Sequence, residues 1–112
     1  MDHADVVIIG GGPAGSSCAR QLIRYGLNVT VLDRASFPRD KVCAGWVTPA
    51  VLESLDIRVA DYADGRTLQP ISGFRTGLMG GRGLETDYGE TVSYGIRRCE
   101  FDHFLLRHSG AR

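Results

Sequence analysis

The sequence predicts an α/β fold with a parallel sheet, and three observations support this prediction. A short β-branched run, Val6 to Ile9, ends at three consecutive glycines. A helical pattern of apolar residues follows, and a second apolar run, Val29 to Leu32, closes on Asp33. Strand, glycine turn, helix and strand in this order form a βαβ unit, which pairs two strands in parallel. We expect this unit to span residues 4–33.

Composition excludes several classes of protein. The 112 residues carry 13 Lys+Arg and 13 Asp+Glu, so no net charge draws the chain to nucleic acid or an anionic membrane. Three cysteines are too few and too scattered for a disulfide framework. The longest early apolar run is too short for a signal peptide or a membrane span. We therefore expect one domain at most, in the cytoplasm.

Within the βαβ unit, both strands are expected to be fully buried, because continuous β-branched runs are typical of parallel sheets covered on both faces. Gly26 stands where a left-handed residue would end the helix. The helix is expected to bury the face formed by Cys18, Ala19, Leu22 and Ile23.

The rest of the chain has weaker patterns. Thr48 and Pro49 predict the N-cap and first position of a short helix that ends near Leu55. Glycine-punctuated runs over residues 67–98 predict β-strands, with a hairpin turn at residues 78–82.

A final helix is predicted over residues 99–109, with Gly110 as its stop. Its apolar face consists of residues spaced i, i+3, i+4 and i+7, namely Phe101, Phe104, Leu105 and His108.

The glycine turn of the βαβ unit has the spacing Gly-x-Gly-x-x-Gly. Gly10 permits the tight turn, Gly12 lets a pyrophosphate approach the backbone, and Gly15 lets the helix pack close to the strand. The helix N-terminus offers N–H groups and the positive end of the helix dipole to phosphates. Asp33 can accept hydrogen bonds from an adenosine ribose. Together these features predict a dinucleotide site.

The glycine turn has other interpretations besides a dinucleotide site. A phosphate-binding P-loop requires Lys where Ser16 stands, so it is excluded. A tightly packed turn without a ligand is the structural alternative. Nicotinamide and flavin dinucleotides are not distinguished here, because an acid at Asp33 serves the ribose of either.

Segments 10–15 and 27–34 resemble the N-terminus of FAD-dependent enzymes of the p-hydroxybenzoate hydroxylase-like superfamily. Segments 36–45 and 96–102 resemble the geranylgeranyl reductase family of flavoproteins. The matching segments span nearly the whole chain, although residues 57–93 match only loosely.

The family usually has two glycines after the cysteine of the second segment, and the first is replaced here by Ala44. Its members run several times this length. The resemblance therefore implies an incomplete Rossmann-like FAD/NAD(P)-binding fold with a small antiparallel β segment, the N-terminal part of an FAD-binding domain.

The resemblance also implies FAD as the cofactor, with residues 36–46 forming a flavin loop. The implied cofactor contacts are residues of the glycine turn, the second strand, the flavin loop and the last helix: Gly10, Gly12, Pro13, Ala14, Gly15, Asp33, Arg34, Cys43, Ala44, Gly45 and Arg98.

Alternatives remain for several of these residues. Cys43 can instead be a small buried residue, Arg98 can form a structural salt bridge, and Arg34 can lie along the adenine or on the surface. Residues outside the site are expected to be structural: Arg39 and Lys41 as solvated loop charges, Arg97 on the surface, Asp102 stabilised by the helix dipole and Trp46 in the core.

By family analogy the whole enzyme reduces isoprenoid C=C bonds with a hydride from reduced FAD, supplied by NAD(P)H or another donor. An aromatic monooxygenase or halogenase is the alternative among flavoenzymes, and a non-catalytic nucleotide-binding fragment is the alternative of another class. The substrate is an isoprenoid or aromatic small molecule. No catalytic residue or metal site is assigned, and self-association through exposed sheet edges is expected.

Overall fold

The computed structural model describes residues 3–112, which divide into two compact units. Unit 1 contains the chain up to Val42 together with Arg97–Arg112, and unit 2 contains Cys43–Ile96. In chain order the elements are β1 (Val6–Ile9), α1 (Pro13–Arg24), β2 (Val29–Leu32), β3 (Trp46–Val47), α2 (Pro49–Ser54), α3 (Val59–Ala63), β4 (Gln69–Ile71), β5 (Gly73–Gly77), β6 (Gly83–Asp87), β7 (Ser93–Gly95) and α4 (Arg98–Ser109).

Strands β1 and β2 of unit 1 pair in parallel. Val6 lies opposite Val29, and Ile9 lies opposite Leu32. Helix α1 connects the two strands and packs against them, and α4 packs against α1. The parallel pair with its helical crossover confirms the predicted α/β class.

One face of the β1–β2 sheet is exposed, so the prediction of two fully buried strands is wrong. Val29 is 2% exposed, whereas Val7, Ile9 and Leu32 are 53%, 79% and 52% exposed. These three residues share a face, because β1 and β2 pair in register and side chains alternate along a strand. We name them the open face. Within the described part of unit 1 the packed helices cover only the opposite face.

Helix α1 ends as the sequence predicts, with Gly26 at φ +82°. Its buried residues are Ser16 and Ala19, whereas Cys18 is exposed. The prediction of Cys18 on the buried face is therefore wrong. Positions 16, 19 and 23 follow one line along the helix at i, i+3 and i+7, and position 18 lies at least about 100° around the helix axis from each of them.

Helix α4 buries Phe101, Phe104 and Leu105, as predicted, and Gly110 follows it at φ +79°. His108 is exposed rather than buried. Its ring stacks on Phe104 at 4.0 Å between centroids, and its Nδ1 lies 2.8 Å from the Phe104 carbonyl oxygen. In the last turn of α4 the buried residue is Ser109, at 3% exposed, so the buried face passes through position 109 rather than 108.

The backbone after α4 returns to the sheet. The Val31 amide donates to the Arg112 carbonyl at 2.9 Å, and the Arg112 amide donates to the Val29 carbonyl at 3.2 Å. This is the hydrogen-bond pattern of a parallel bridge on the edge of β2 that β1 does not occupy.

Unit 2 contains the small antiparallel segment that the sequence predicts. Strands β3, β7 and β4 form a three-stranded sheet in that order, and β5 and β6 form a hairpin across residues 78–82. Helix α2 begins as predicted, since Thr48 Oγ1 accepts from the Val51 amide at 3.4 Å. β3 and α3 are not predicted, because two-residue and five-residue elements are too short for a periodic pattern.

Within residues 3–112 no helix combines the length and the apolar composition that crossing a membrane requires.

The open face generates a prediction about association. Apolar surface of this kind favours association or a marginally stable fold, so the purified chain should self-associate with rising concentration. Replacing Ile9 with Thr removes about 1.5 kcal/mol of apolar burial at such a contact. The concentration for half-association should therefore rise about tenfold in light scattering. Val59→Thr, an exposed apolar position in unit 2, is the matched control. A parent chain that stays monomeric and stably folded would contradict this prediction.

Candidate functional site

The glycine turn after β1 has a geometry that side chains would not permit. Gly10 adopts φ +107°, which disfavours any residue with a Cβ. A Cβ on Gly15 would lie 1.9 Å from the Gly10 carbonyl oxygen. No side chain fits at this distance, so glycine is what allows the first turn of α1 to pack directly on the end of β1.

At Gly12 neither backbone conformation nor a clash requires glycine, unlike at Gly10 and Gly15. Its backbone has φ −71° and ψ −174°, which any residue adopts. A Cβ added there would meet a single atom within 4 Å, the Arg39 Nη2 at 3.7 Å. The backbone at Gly12 is therefore accessible from the side where a Cβ would project.

The start of α1 supplies donors beside this accessible backbone. Gly12 is the N-cap, Pro13 follows it, and the Ser16 amide donates to the Gly12 carbonyl at 2.9 Å. Pro13 has no N–H to leave unsatisfied, and the amides of Ala14 and Gly15 have no partner within a helix that begins here. The positive end of the helix dipole adds to their attraction for an anion.

Asp33, at the end of β2, is hydrogen-bonded to the glycine turn. Its Oδ2 accepts from the Gly11 amide at 2.8 Å, and its Oδ1 accepts from the Ala35 amide at 2.8 Å. The hydrogen bond from the Gly11 amide has the largest effect on the pKa of Asp33, and the bond from the Ala35 amide has the next largest. Both lower this pKa below its usual value of 3.8. The carboxylate is therefore ionised at neutral pH, and each oxygen keeps a lone pair for a further donor.

A cavity of about 440 Å³ lies beside the carboxyl ends of β1 and β2. Its volume is within the range of small-molecule sites. Gly10, Asp33 and the exposed Arg34 line it, together with Ile9, Leu32, Ala35, Arg39, Asp40 and Lys41. Ligands of open α/β sheets bind at this end of the strands.

Asp102 joins two arginines inside unit 1. It is fully buried, and Arg98 donates to it through Nε at 2.7 Å and Nη2 at 2.9 Å. Arg39 donates through Nη1 at 2.7 Å. The salt bridge of Arg98 that the sequence left as an alternative is thus present, and its contact with a cofactor stays a prediction.

The expectation that Arg39 is a solvated loop charge is wrong, because its side chain is 18% exposed and pairs with Asp102. Asp102 is structural, as predicted, but its partners are arginines rather than the helix dipole. Its side chain is 0% exposed, and a buried carboxylate demands paired cations. Lys41 and Arg97 are exposed, as predicted. The i, i+4 spacing of Arg98 and Asp102 is a signal that could have revealed part of this cluster, but nothing local indicates Arg39.

The flavin loop enters unit 2 at Cys43. The Cys43 side chain is exposed, so the alternative of a small buried residue is wrong, and its Sγ accepts from the Gly45 amide at 3.4 Å. Ala44 is also exposed. Gly45 has φ +75°, and a Cβ there would lie 2.8 Å from the Ile96 carbonyl oxygen. Glycine is required at this position by both backbone conformation and space.

Trp46 is 57% exposed, so its prediction as a core aromatic residue is wrong. Its ring lies 5.2 Å from that of Phe74, and Phe74 contacts Tyr88 edge-to-face at 6.3 Å. Tyr88 is 54% exposed. Its neighbour Val47 in β3 is buried at 9% exposed, and since side chains alternate along a strand, Trp46 lies on the opposite, exposed face of β3.

Among residues 3–112 no group of three or more His, Cys, Asp or Glu side chains has the arrangement of a metal site.

A family model described as FAD dependent oxidoreductase matches residues 5–96. The chain belongs to this family. The match includes the glycine turn, Asp33 and the flavin loop, and FAD is the cofactor for which the family is named. The predicted cofactor is therefore confirmed at the level of the family.

Similar proteins include both reductases and halogenases. The menaquinone reductase of Mycobacterium tuberculosis is 42% identical over 123 residues, which cover 99% of this chain and 28% of that protein. A flavin-dependent halogenase of Armillaria mellea is 32% identical over 119 residues, which cover 96% of this chain and 22% of the halogenase.

A crystal structure of a geranylgeranyl bacteriochlorophyll reductase-like protein from Thermoplasma acidophilum has a TM-score of 0.77 and 27% identity, over 96% of this chain and 28% of that one. The chain thus spans about a quarter of the length of these relatives. The resemblance to geranylgeranyl reductases is confirmed as a likeness of sequence and fold.

The residues of unit 1 fit the ADP part of FAD. Gly12 leaves space over its backbone for a pyrophosphate, and it is the N-cap of α1, whose first amides attract an anion. Asp33 keeps lone pairs for ribose hydroxyl groups beside the cavity. Each of these features is present without rearrangement of the turn.

Replacement by alanine should have different effects at Gly12 and Gly15: at Gly12 it should lower FAD affinity, and at Gly15 it should lower stability. Gly12→Ala places a methyl group where a pyrophosphate would lie, so FAD affinity should fall at least about a hundredfold while the melting temperature stays near that of the parent. Gly15→Ala creates a clash with the Gly10 carbonyl oxygen, so it should lower the melting temperature sharply. Circular dichroism and calorimetric titration measure the two quantities. If Gly12→Ala binds FAD normally, the phosphate site is not here.

Asp33 predicts a pH dependence of stability. Its lowered pKa means that the folded state favours the ionised form, so its contribution is complete above the usual value of 3.8 and is lost as pH falls through the lowered pKa. The melting temperature of Asp33→Asn should lie below that of the parent at neutral pH, and the difference should shrink below pH 3.8. Asp40→Asn removes a charge from the same cavity and is the control. A difference that does not change with pH would contradict the assignment.

Proposed function

We propose that the chain is the FAD-binding portion of a flavin-dependent reductase that acts on isoprenoid carbon–carbon double bonds. The observation that supports it most directly is the glycine turn, where Gly12 leaves the backbone accessible while Asp33 holds the Gly11 amide. A turn of this kind binds the ADP part of a dinucleotide. The family match to residues 5–96 makes that dinucleotide FAD.

Within unit 1 we assign the cofactor contacts by what each residue offers. Gly10, Gly12 and Gly15 shape the turn, while Pro13 and Ala14 begin the helix whose N-terminus attracts the pyrophosphate. Asp33 accepts hydrogen bonds from the ribose, and Arg34 lies at the cavity wall where an adenine would stack. Arg98 contributes a guanidinium that Asp102 already orients.

In unit 2 we assign the flavin contacts to Cys43, Ala44 and Gly45. Support comes from the resemblance of this segment to the family and from the exposure of Cys43 and Ala44. The Cys43 thiol is assigned a packing role rather than a redox role, because its Sγ is engaged with the Gly45 amide.

Bound and reduced FAD would supply a hydride to the substrate. The isoprenoid class is supported by the relatives, since menaquinone and geranylgeranyl groups both contain an isoprenoid chain. NAD(P)H or another small donor would reduce the flavin. We also propose a cytoplasmic location, which agrees with three cysteines that form no disulfide.

A flavin-dependent halogenase or aromatic monooxygenase is the second candidate, and the Armillaria halogenase relative favours it. Reduction of an isoprenoid consumes the reductant without oxygen, whereas a halogenase or monooxygenase requires oxygen. An anaerobic turnover assay of the whole enzyme separates the two. A non-catalytic nucleotide-binding role predicts FAD binding without turnover in either condition.

The proposal predicts a preference among dinucleotides. The 112-residue chain should bind FAD more tightly than NAD or NADP, because the flavin-loop residues add contacts for FAD alone. Since the chain spans about a quarter of its relatives, we expect weak FAD affinity and no turnover from the chain itself. Titration calorimetry with the three dinucleotides measures the preference, and tighter binding of NAD would contradict it.

A further inference from the structure

Arg39 is held in place by contacts on two sides. Its Nη1 donates to Asp102 Oδ2 at 2.7 Å, and its guanidinium lies over the Phe37 ring at 4.6 Å from the centroid. Its side chain is 18% exposed. An arginine fixed in this way has already lost most of its rotamer freedom, so little further entropy is lost when it binds a ligand.

The anchor of Arg39 is rigid. Asp102 lies in the first turns of α4, is 0% exposed, and also receives two hydrogen bonds from Arg98. A buried carboxylate is costly without paired cations, so Asp102 constrains the position of both guanidinium groups. Arg39 is 63 positions away from Asp102 along the chain, and the pair joins the loop after β2 to α4.

The other end of the Arg39 guanidinium faces the glycine turn. Its Nη2 is the one atom that a Cβ on Gly12 would meet within 4 Å, at 3.7 Å. Arg39 also lines the 440 Å³ cavity together with Gly10 and Asp33. Arginine carries five N–H donors in a planar fork, and the bond to Asp102 Oδ2 uses one of them.

We propose that Arg39 is a phosphate-contacting residue of the dinucleotide site, and that Asp102 is the positioning residue that holds its guanidinium over the glycine turn. The inference rests on the proposed FAD site and adds a side-chain cation to the backbone donors of α1. The fork geometry of a guanidinium matches phosphate oxygens, which makes it suited to this role.

The test compares ADP with adenosine, which share the base and the ribose and differ in the phosphates. For Arg39→Gln we expect ADP affinity to fall about ten- to a hundredfold, because one charge-assisted contact is lost. Adenosine affinity should stay at the parent value. A purely structural role for Arg39 would instead lower both affinities together, since a distorted turn affects the whole nucleoside site.

Matched variants sharpen the comparison. Lys41→Gln removes the same charge from the wall of the same cavity at an exposed position, and it should leave the ADP-to-adenosine affinity ratio nearly unchanged. Arg39→Lys keeps the charge without the fork and should give an intermediate ratio. Asp102→Asn should lower the ratio through loss of orientation, by less than Arg39→Gln does.

A measurement on the parent chain covers the case in which the variants do not fold. In ¹⁵N-arginine-labelled protein, the guanidinium resonance of Arg39 should shift on addition of ADP and not of adenosine. A parent-like affinity ratio in Arg39→Gln, or an Arg39 resonance that ADP does not move, would overturn the inference. A parent chain that binds neither ADP nor FAD would overturn the proposed function itself.

Discussion

Close approach between the Gly10 carbonyl oxygen and Gly15 is the constraint on which unit 1 depends. The 1.9 Å that would separate this oxygen from a Cβ means that only the absence of a side chain lets α1 begin directly above β1. That placement directs the first amides of α1 toward the end of the sheet, and it brings Gly11 within 2.8 Å of the Asp33 carboxylate. The packing of α1 on β1 therefore depends on Gly15, whereas the accessible backbone beside it belongs to Gly12.

Two carboxylates organise the surroundings of this turn in different ways. Asp33 is exposed and accepts from backbone amides, which lowers its pKa and fixes the ends of β1 and β2 relative to each other. Asp102 is buried and accepts from arginine side chains, which fixes cations rather than backbone. The turn is thus accompanied by an exposed carboxylate that can accept from hydroxyl groups and by a guanidinium that we propose contacts phosphates.

Local signals made the βαβ unit and the glycine turn predictable, because strand, turn and helix follow one another within about thirty residues and each has its own pattern. The open face could not be predicted, since a β-branched run indicates a strand without indicating how many layers cover it. The role of Arg39 was also hidden, because its partner Asp102 lies 63 positions away and no local spacing links the two residues. Trp46 was misplaced because an isolated tryptophan is usually assigned to a core, whereas in β3 it is Val47 that lies on the buried face.

The exposed position of Trp46 has an optical consequence. It is the single tryptophan of the chain, and it belongs to unit 2. Its fluorescence emission therefore reports the surroundings of β3 and the Phe74–Tyr88 pair, while unit 1 contributes only the weaker emission of Tyr25. Excitation at the red edge of the absorption band selects tryptophan over tyrosine, so Trp46 can be observed without Tyr25. The unlabelled chain thus reports the unfolding of unit 2 separately from that of unit 1.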